Sequence, residues 1–305
     1  MKGEMSTSPD TTHAQLFAFA ELLAQPEIKL AIMRPIYLAK SAWLEHIPFA
    51  FWLTGQQQPQ IFVELGAHYG SSYFAFCQAI EQLSLKTRCY AVDTWKGDEH
   101  AGFYGEEVFR AVRAHHDELY SRFSCLVRST FDEAGEYFNE DSIDLLHIDG
   151  LHTREAVQHD FETWFPKLSD RAVVVLHDTN VRERGFGVSR FLADLSKNYP
   201  VFEFDHGHGL AIIGVGKNLQ PGIRRLLELA RGSDAHRDCC EFFSRLGRAC
   251  ADAYTVRRLN EGRPASGGAP TISGACPENS SASLPSHPLD ETPPFLENGA
   301  QDPLN

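Results

Sequence analysis

IFVELGAHYGSS (61–72) is a short apolar run that ends in glycine and opens onto the helical pattern SYFAFCQAIEQL (72–83). A run this short, bounded by a turn signal, reads as a buried strand. Gly66 and Gly70 let the chain turn tightly and approach a ligand, and the N-terminus of the following helix presents free N–H groups. The loop lacks the Gly-Lys-Ser/Thr ending of a phosphate-binding loop. It is not Gly-x-Gly-x-x-Gly either, which argues against a pyrophosphate-bearing cofactor and against a nicotinamide-dependent oxidoreductase. No Gly-x-Ser-x-Gly elbow supports a serine hydrolase.

The same alternation continues outward. RCYAVD (88–93), FSCLVRS (123–129), SIDLLHID (142–149) and RAVVVLHD (171–178) read as strands two to five. Helical patterns lie between and after them at 106–120, 153–165 and 187–199. VFEFDH (201–206) and LAIIGVG (210–216) follow with only a His-Gly-His-Gly turn between them, which reads as a hairpin with an antiparallel final strand. Five β/α repeats plus that hairpin predict an α/β fold: one seven-stranded sheet with helices on both faces. A dinucleotide-binding sheet has six parallel strands instead.

In such sheets ligands sit beyond the carboxyl ends of the strands. Asp93 ends strand two, where an acid accepts hydrogen bonds from ribose hydroxyls. IDGLH (148–152) follows strand four and HDTN (177–180) follows strand five, so Asp149, His152, His177 and Asp178 converge. Two carboxylates with an imidazole suit a hard or borderline divalent ion. His152 is alternatively a general base. The loop TWKGDEHAGFYGEE (94–107) is a candidate lid bringing Trp95, His100 and Tyr104 to the pocket. His115 and His116 read as surface residues, and His159 and Asp160 as partners in salt bridges.

The chain has 305 residues, 43% hydrophobic, enough for a sizeable core. Its 28 Lys and Arg against 41 Asp and Glu give a net charge of −13, which excludes non-specific nucleic-acid binding and disfavours anionic membranes. Seven cysteines without a Cys-x-x-Cys pair predict free thiols and a cytoplasmic location. No run reaches the length of a membrane span. The expected organisation is a mobile arm (1–13), a helical segment (14–58) broken by Pro26, Pro35 and Pro48 and ending in the linker GQQQPQ (55–60), the sheet domain (59–217), a second helical segment (218–260) and a disordered tail (261–305). That tail holds 8 of the 16 prolines and Arg263 as its one basic residue.

ELGAHYG, VDTWKGD, DLLHIDGLHTREAVQHDFETW and VVVLHDTNVRERGFGV together resemble the class I S-adenosylmethionine-dependent methyltransferases, in particular a bacterial branch found beside glycosyltransferases. The resemblance covers about 42–216. It implies a Rossmann-like methyltransferase sheet ordered 3-2-1-4-5-7-6, with S-adenosylmethionine as cofactor. It implies that Glu64, Gly66 and Gly70 line the methionine and ribose part of that cofactor, that Asp93 holds the ribose, and that Ser129, Thr130 and Phe131 contact the adenine. Similar sugar O-methyltransferases hold Mg2+ on acids matching Asp149 and Asp178 and use a base matching His152. They often have Glu-Asp where this chain has His177-Asp178. The resemblance therefore implies O-methylation of a sugar or glycoconjugate hydroxyl, with a glycosyltransferase as partner; the helical patterns at 220–260 read as packing on the domain or mediating assembly with a second copy of the chain. The rival reading is a catalytically silent domain that keeps this fold and serves a glycosyltransferase.

Overall fold

The computed structural model describes residues 25–261. The expected arm, the helical pattern at 14–24 and the tail beyond residue 261 lie outside the described residues. Of the described residues, 25–258 belong to one compact unit.

The sheet strands are β1 (Ile61–Leu65), β2 (Arg88–Asp93), β5 (Ser124–Arg128), β6 (Ile143–Ile148), β7 (Leu168–His177), β8 (Val201–Phe204) and β9 (Leu210–Gly214). Two-residue strands β3 (Gly97–Asp98) and β4 (Gly102–Phe103) form a separate ribbon. The large sheet runs β5-β2-β1-β6-β7-β9-β8. Without the ribbon, that is the expected order 3-2-1-4-5-7-6. All pairings from β5 through β7 are parallel, and β9 runs antiparallel to both of its neighbours. Strand order reverses at β1, so the crevice beside its carboxyl end is the position where open α/β sheets bind ligands.

Helices cover both faces. Alternating side chains explain this: Phe62 joins one buried cluster while Val63 and Leu65 join another. The first cluster gathers α1 (Pro26–Ala31), α2 (Ile47–Gln57), α3 (Ser71–Gln82), α4 (Glu106–Leu119), α8 (Pro221–Leu227) and α9 (Asp234–Glu261). The second gathers α5 (Phe131–Gly135), α6 (Arg154–Trp164) and α7 (Val188–Leu195).

Pro26 and Pro48 stand in the first turns of short helices, where a proline gives up only an N–H that has no helical partner, so this stretch is divided as expected. GQQQPQ is not a free linker. Gln57 is the last residue of α2 and is fully buried, and its amide donates to the carbonyls of Asp144 (2.7 Å) and Arg171 (2.9 Å).

Candidate functional site

The carboxyl ends of β1, β2, β5, β6 and β7 open onto one cavity of about 960 Å3. Its wall includes Gly66, Asp93, Thr130, Phe131, Asp149, Gly150, His152, His177 and Asp178. The N-terminal segment adds Lys40 to Ala42, the β3–β4 ribbon adds His100 and Phe103, and α9 adds Ala251, Tyr254 and Thr255.

The turn after β1 is built for close approach. Gly66 has φ +90°, and a Cβ there would lie 2.2 Å from the carbonyl oxygen of Asp149, so only glycine lets this turn pass the β6 end. Gly70 (φ +79°) caps α3 against the ring of Phe74 and does not reach the cavity wall. Asp93 is buried. One carboxylate oxygen accepts the N–H of His68 (2.9 Å) and the other that of Trp95 (2.6 Å). Burial pushes its pKa upward, against those hydrogen bonds. The Ala67 N–H donates to it as well, and a carboxylate with about four acceptor sites keeps one for a further donor.

Glu64 departs from expectation, because it lies beneath the wall, fully buried. It stands opposite His147 across β1 and β6, whose Nδ1 lies 2.9 Å from it, and it accepts from the Ser72 hydroxyl at 2.8 Å. Trp43 Nε1 donates to His147 Nε2 at 3.2 Å. An indole can only donate, so His147 Nε2 is the acceptor and Nδ1–H donates to Glu64. Burial raises the Glu64 pKa, opposed by His147. Ser129 also stays outside the wall, with its hydroxyl on Glu133 (3.1 Å), whereas Thr130 and Phe131 line it.

Beyond β6 and β7 the expected cluster assembles. His152 Nε2 lies 2.8 Å from Asp178 and 3.3 Å from Asp149. His177 Nδ1 is 3.2 Å from Asp149, and its Nε2 donates to the carbonyl of Gly207 at 3.1 Å. His208 Nδ1 is 3.0 Å from the other oxygen of Asp178. Burial works against charge on both rings, but the two carboxylates outweigh it. They push His152 up to about 9 and His177 up to about 10. Burial would raise both acids, yet the histidines hold Asp149 and Asp178 well below the usual carboxylate range. Asp178 takes a left-handed φ of +58°, uncommon for a residue with a side chain and often found where function constrains the backbone. Ligand atoms of Asp149, His152 and Asp178 all lie within 4.8 Å of one another, so the donor set suits a divalent cation.

The loop at 94–107 supplies His100 and Tyr104 to the wall but not Trp95, which is buried beneath it and donates to the His68 carbonyl. The His152 ring lies parallel to Phe186 (4.7 Å, 2°), and His100 lies on Phe186 as well (4.5 Å, 18°). His116 is buried between Ser124 and Asp117, contrary to a surface position, because α4 turns that face inward. His115 packs on Tyr37 and Phe74. His159 pairs with Asp132 as expected (2.8 Å), while Asp160 is buried and makes no such pair among the described residues. Phe186 and Arg184 sat within a quoted motif without being singled out. Lys40, Tyr254 and Thr255 carry no local signal, because distant segments deliver them.

Residues 63–179 match the family model of a methyltransferase domain. A curated relative, the uncharacterized protein y4gI of Sinorhizobium fredii, is 48% identical over 217 residues, which cover 71% of this chain and 24% of that protein. The matched stretch thus spans about a quarter of the relative. Among solved structures, the O-methyltransferase TomG of Streptomyces achromogenes, solved with S-adenosylmethionine, aligns with TM-score 0.44 and 13% identity over 67% of this chain and 96% of its own. The Podospora anserina methyltransferase PaMTH1, solved with S-adenosylhomocysteine, aligns with TM-score 0.43 and 13% identity over 70% and 99%. Likeness at this level carries no weight for substrate.

Proposed function

We propose that the methyltransferase domain of residues 63–179 moves the methyl group of S-adenosylmethionine onto a hydroxyl of a sugar or glycoconjugate. The observation that carries this is a single cavity whose wall joins two sets of residues on either side of β1. Gly66, Asp93, Thr130 and Phe131 stand on one side. Asp149, His152, His177 and Asp178 stand on the other. A volume of about 960 Å3 is at the upper end for one ligand site and has room for a nucleoside and an acceptor together.

The first set fits S-adenosylmethionine, with an acid for ribose hydroxyls, a ring beside Gly150 for a base, and backbone at Gly66 free of a side chain. Bound there, the cofactor supplies an electrophilic methyl group on sulfur. An unactivated hydroxyl is a poor nucleophile, so its proton must be taken. The neutral form of His152 takes it; because Asp178 and Asp149 on its Nε2 push the ring's pKa up to about 9, that form gains population as pH rises, and turnover is expected to increase above neutral pH. Asp149 and Asp178 would hold a divalent ion such as Mg2+, which would lower the pKa of a hydroxyl bound to it. Phe103, 79% exposed on the cavity wall, offers an apolar face for the C–H side of a sugar ring.

A glycosyltransferase partner belongs to the proposal on the resemblance alone, and a cytoplasmic location on the cysteine usage. Among the described residues no helix is long and apolar enough to cross a membrane. Methyl-tritiated S-adenosylmethionine incubated with sugar and glycoconjugate acceptors tests the whole. Label is expected in a hydroxyl-bearing sugar, lost on thorough chelation and restored by Mg2+. Label that survives chelation removes the ion, and label absent from every sugar removes the acceptor class.

A further inference from the structure

The charged side chains on the cavity wall divide into two kinds. All four carboxylates are engaged by donors of the protein itself. Asp93 accepts from the N–H of His68 and Trp95, and Asp98 from the N–H of His100 and Ala101. Asp149 and Asp178 are held by histidines. The cations differ. Arg184 and Lys40 line the wall without an ion pair among the described residues. In a chain with 41 acidic residues against 28 basic ones, an unpaired arginine at a cavity mouth stands out.

Arg184 is also fixed in place. Its guanidinium carbon lies 5.0 Å above the centre of the Phe186 ring, and Phe186 is itself buried and stacked on His152. That cation–π contact leaves the planar fork of N–H donors unused. The backbone of Arg184 is left-handed (φ +53°) and is followed by Gly185 at φ +78°. A side chain at that angle costs conformational energy, and here it delivers a guanidinium two ring contacts from the proton-accepting imidazole. A guanidinium pairs best with a planar or tetrahedral oxyanion, with two parallel hydrogen bonds.

We propose that Arg184 forms an anion subsite for the acceptor, so that the molecule methylated carries a carboxylate or a phosphate near the reacting hydroxyl. A uronic acid and a sugar phosphate both meet that requirement. The subsite rests on the function proposed above, since it places the anion relative to His152.

The test is calorimetric titration of the protein, with and without S-adenosylhomocysteine, using glucose, glucuronate and glucose 6-phosphate as probes. Both anions are expected to bind at least about tenfold more tightly than glucose. A preference for glucuronate alone would assign the oxyanion as carboxylate, and one for glucose 6-phosphate alone as phosphate. Arg184→Gln should abolish the preference, and Arg184→Lys should keep part of it. Arg184 is exposed, so an unchanged melting temperature shows that the variants fold. Equal or undetectable binding of all three probes, or a preference that survives Arg184→Gln, overturns the subsite. Failure of S-adenosylhomocysteine to bind while the Arg184-dependent preference persists would overturn the methyltransferase reading instead.

Discussion

His152 is the residue on which the proposed proton transfer turns. Replacing it by alanine should lower turnover by about 10²–10⁴-fold, the usual contribution of a general base, with little change in S-adenosylhomocysteine affinity. Turnover at the wild-type rate would exclude it as the base. Asp160 makes a separate prediction. It is buried beside Gly150 and Phe131, and burial pushes its pKa up to about 7, opposed by His159 and helped by Asp132. An unfolded chain would ionise it near 3.8. Between those values the folded protein binds more protons than the unfolded one, so stability falls as pH rises from about 4 to about 7 and then levels off. Asp160→Asn should remove this loss and gain on the wild type across that window, by up to a few kcal/mol. Urea unfolding of both proteins at pH 5 and pH 8 measures it, and a pH-independent difference would contradict it.

At the scale of elements, the β1 turn and the β6 end are one unit. Gly66→Ala should both lower the melting temperature and abolish S-adenosylhomocysteine binding, because its Cβ would strike the Asp149 carbonyl. Gly185→Ala is the matched control. It too has positive φ, but nothing lies within 4 Å of the added atom, so only backbone strain of about 1–3 kcal/mol should appear. Equal effects of the two substitutions would mean that the close approach at Gly66 is not what matters. Strand positions were legible because a sheet buried on both faces demands continuous apolar runs, and β2 begins and ends at the expected residues. Glu64 was misplaced because the charge of a strand residue does not reveal which face it takes. Its partner is set by register with His147, which only the assembled sheet shows. His116 was misplaced because the polar pattern of α4 conceals a histidine satisfied by Ser124, a residue on another element.

At the scale of the molecule, sheet order followed from the β/α alternation and the closing hairpin. The acceptor side of the cavity did not. Its wall draws on Lys40 to Ala42, the β3–β4 ribbon and α9, segments far apart in the chain that meet only through packing. Truncation after residue 261 should leave the melting temperature within a few degrees, since the composition beyond it offers little apolar surface to bury. A large drop would show that those residues dock on the folded unit. The central claim is that the wall residues Gly66 and Asp93 receive S-adenosylmethionine. Calorimetric titration with S-adenosylhomocysteine tests it most directly, on the wild type and on Asp93→Ala. One molecule should bind per chain, and the variant should lose ~1.5–3 kcal/mol, the range for a hydrogen bond to a charged group. No binding to the wild type, or equal binding to both, would contradict it.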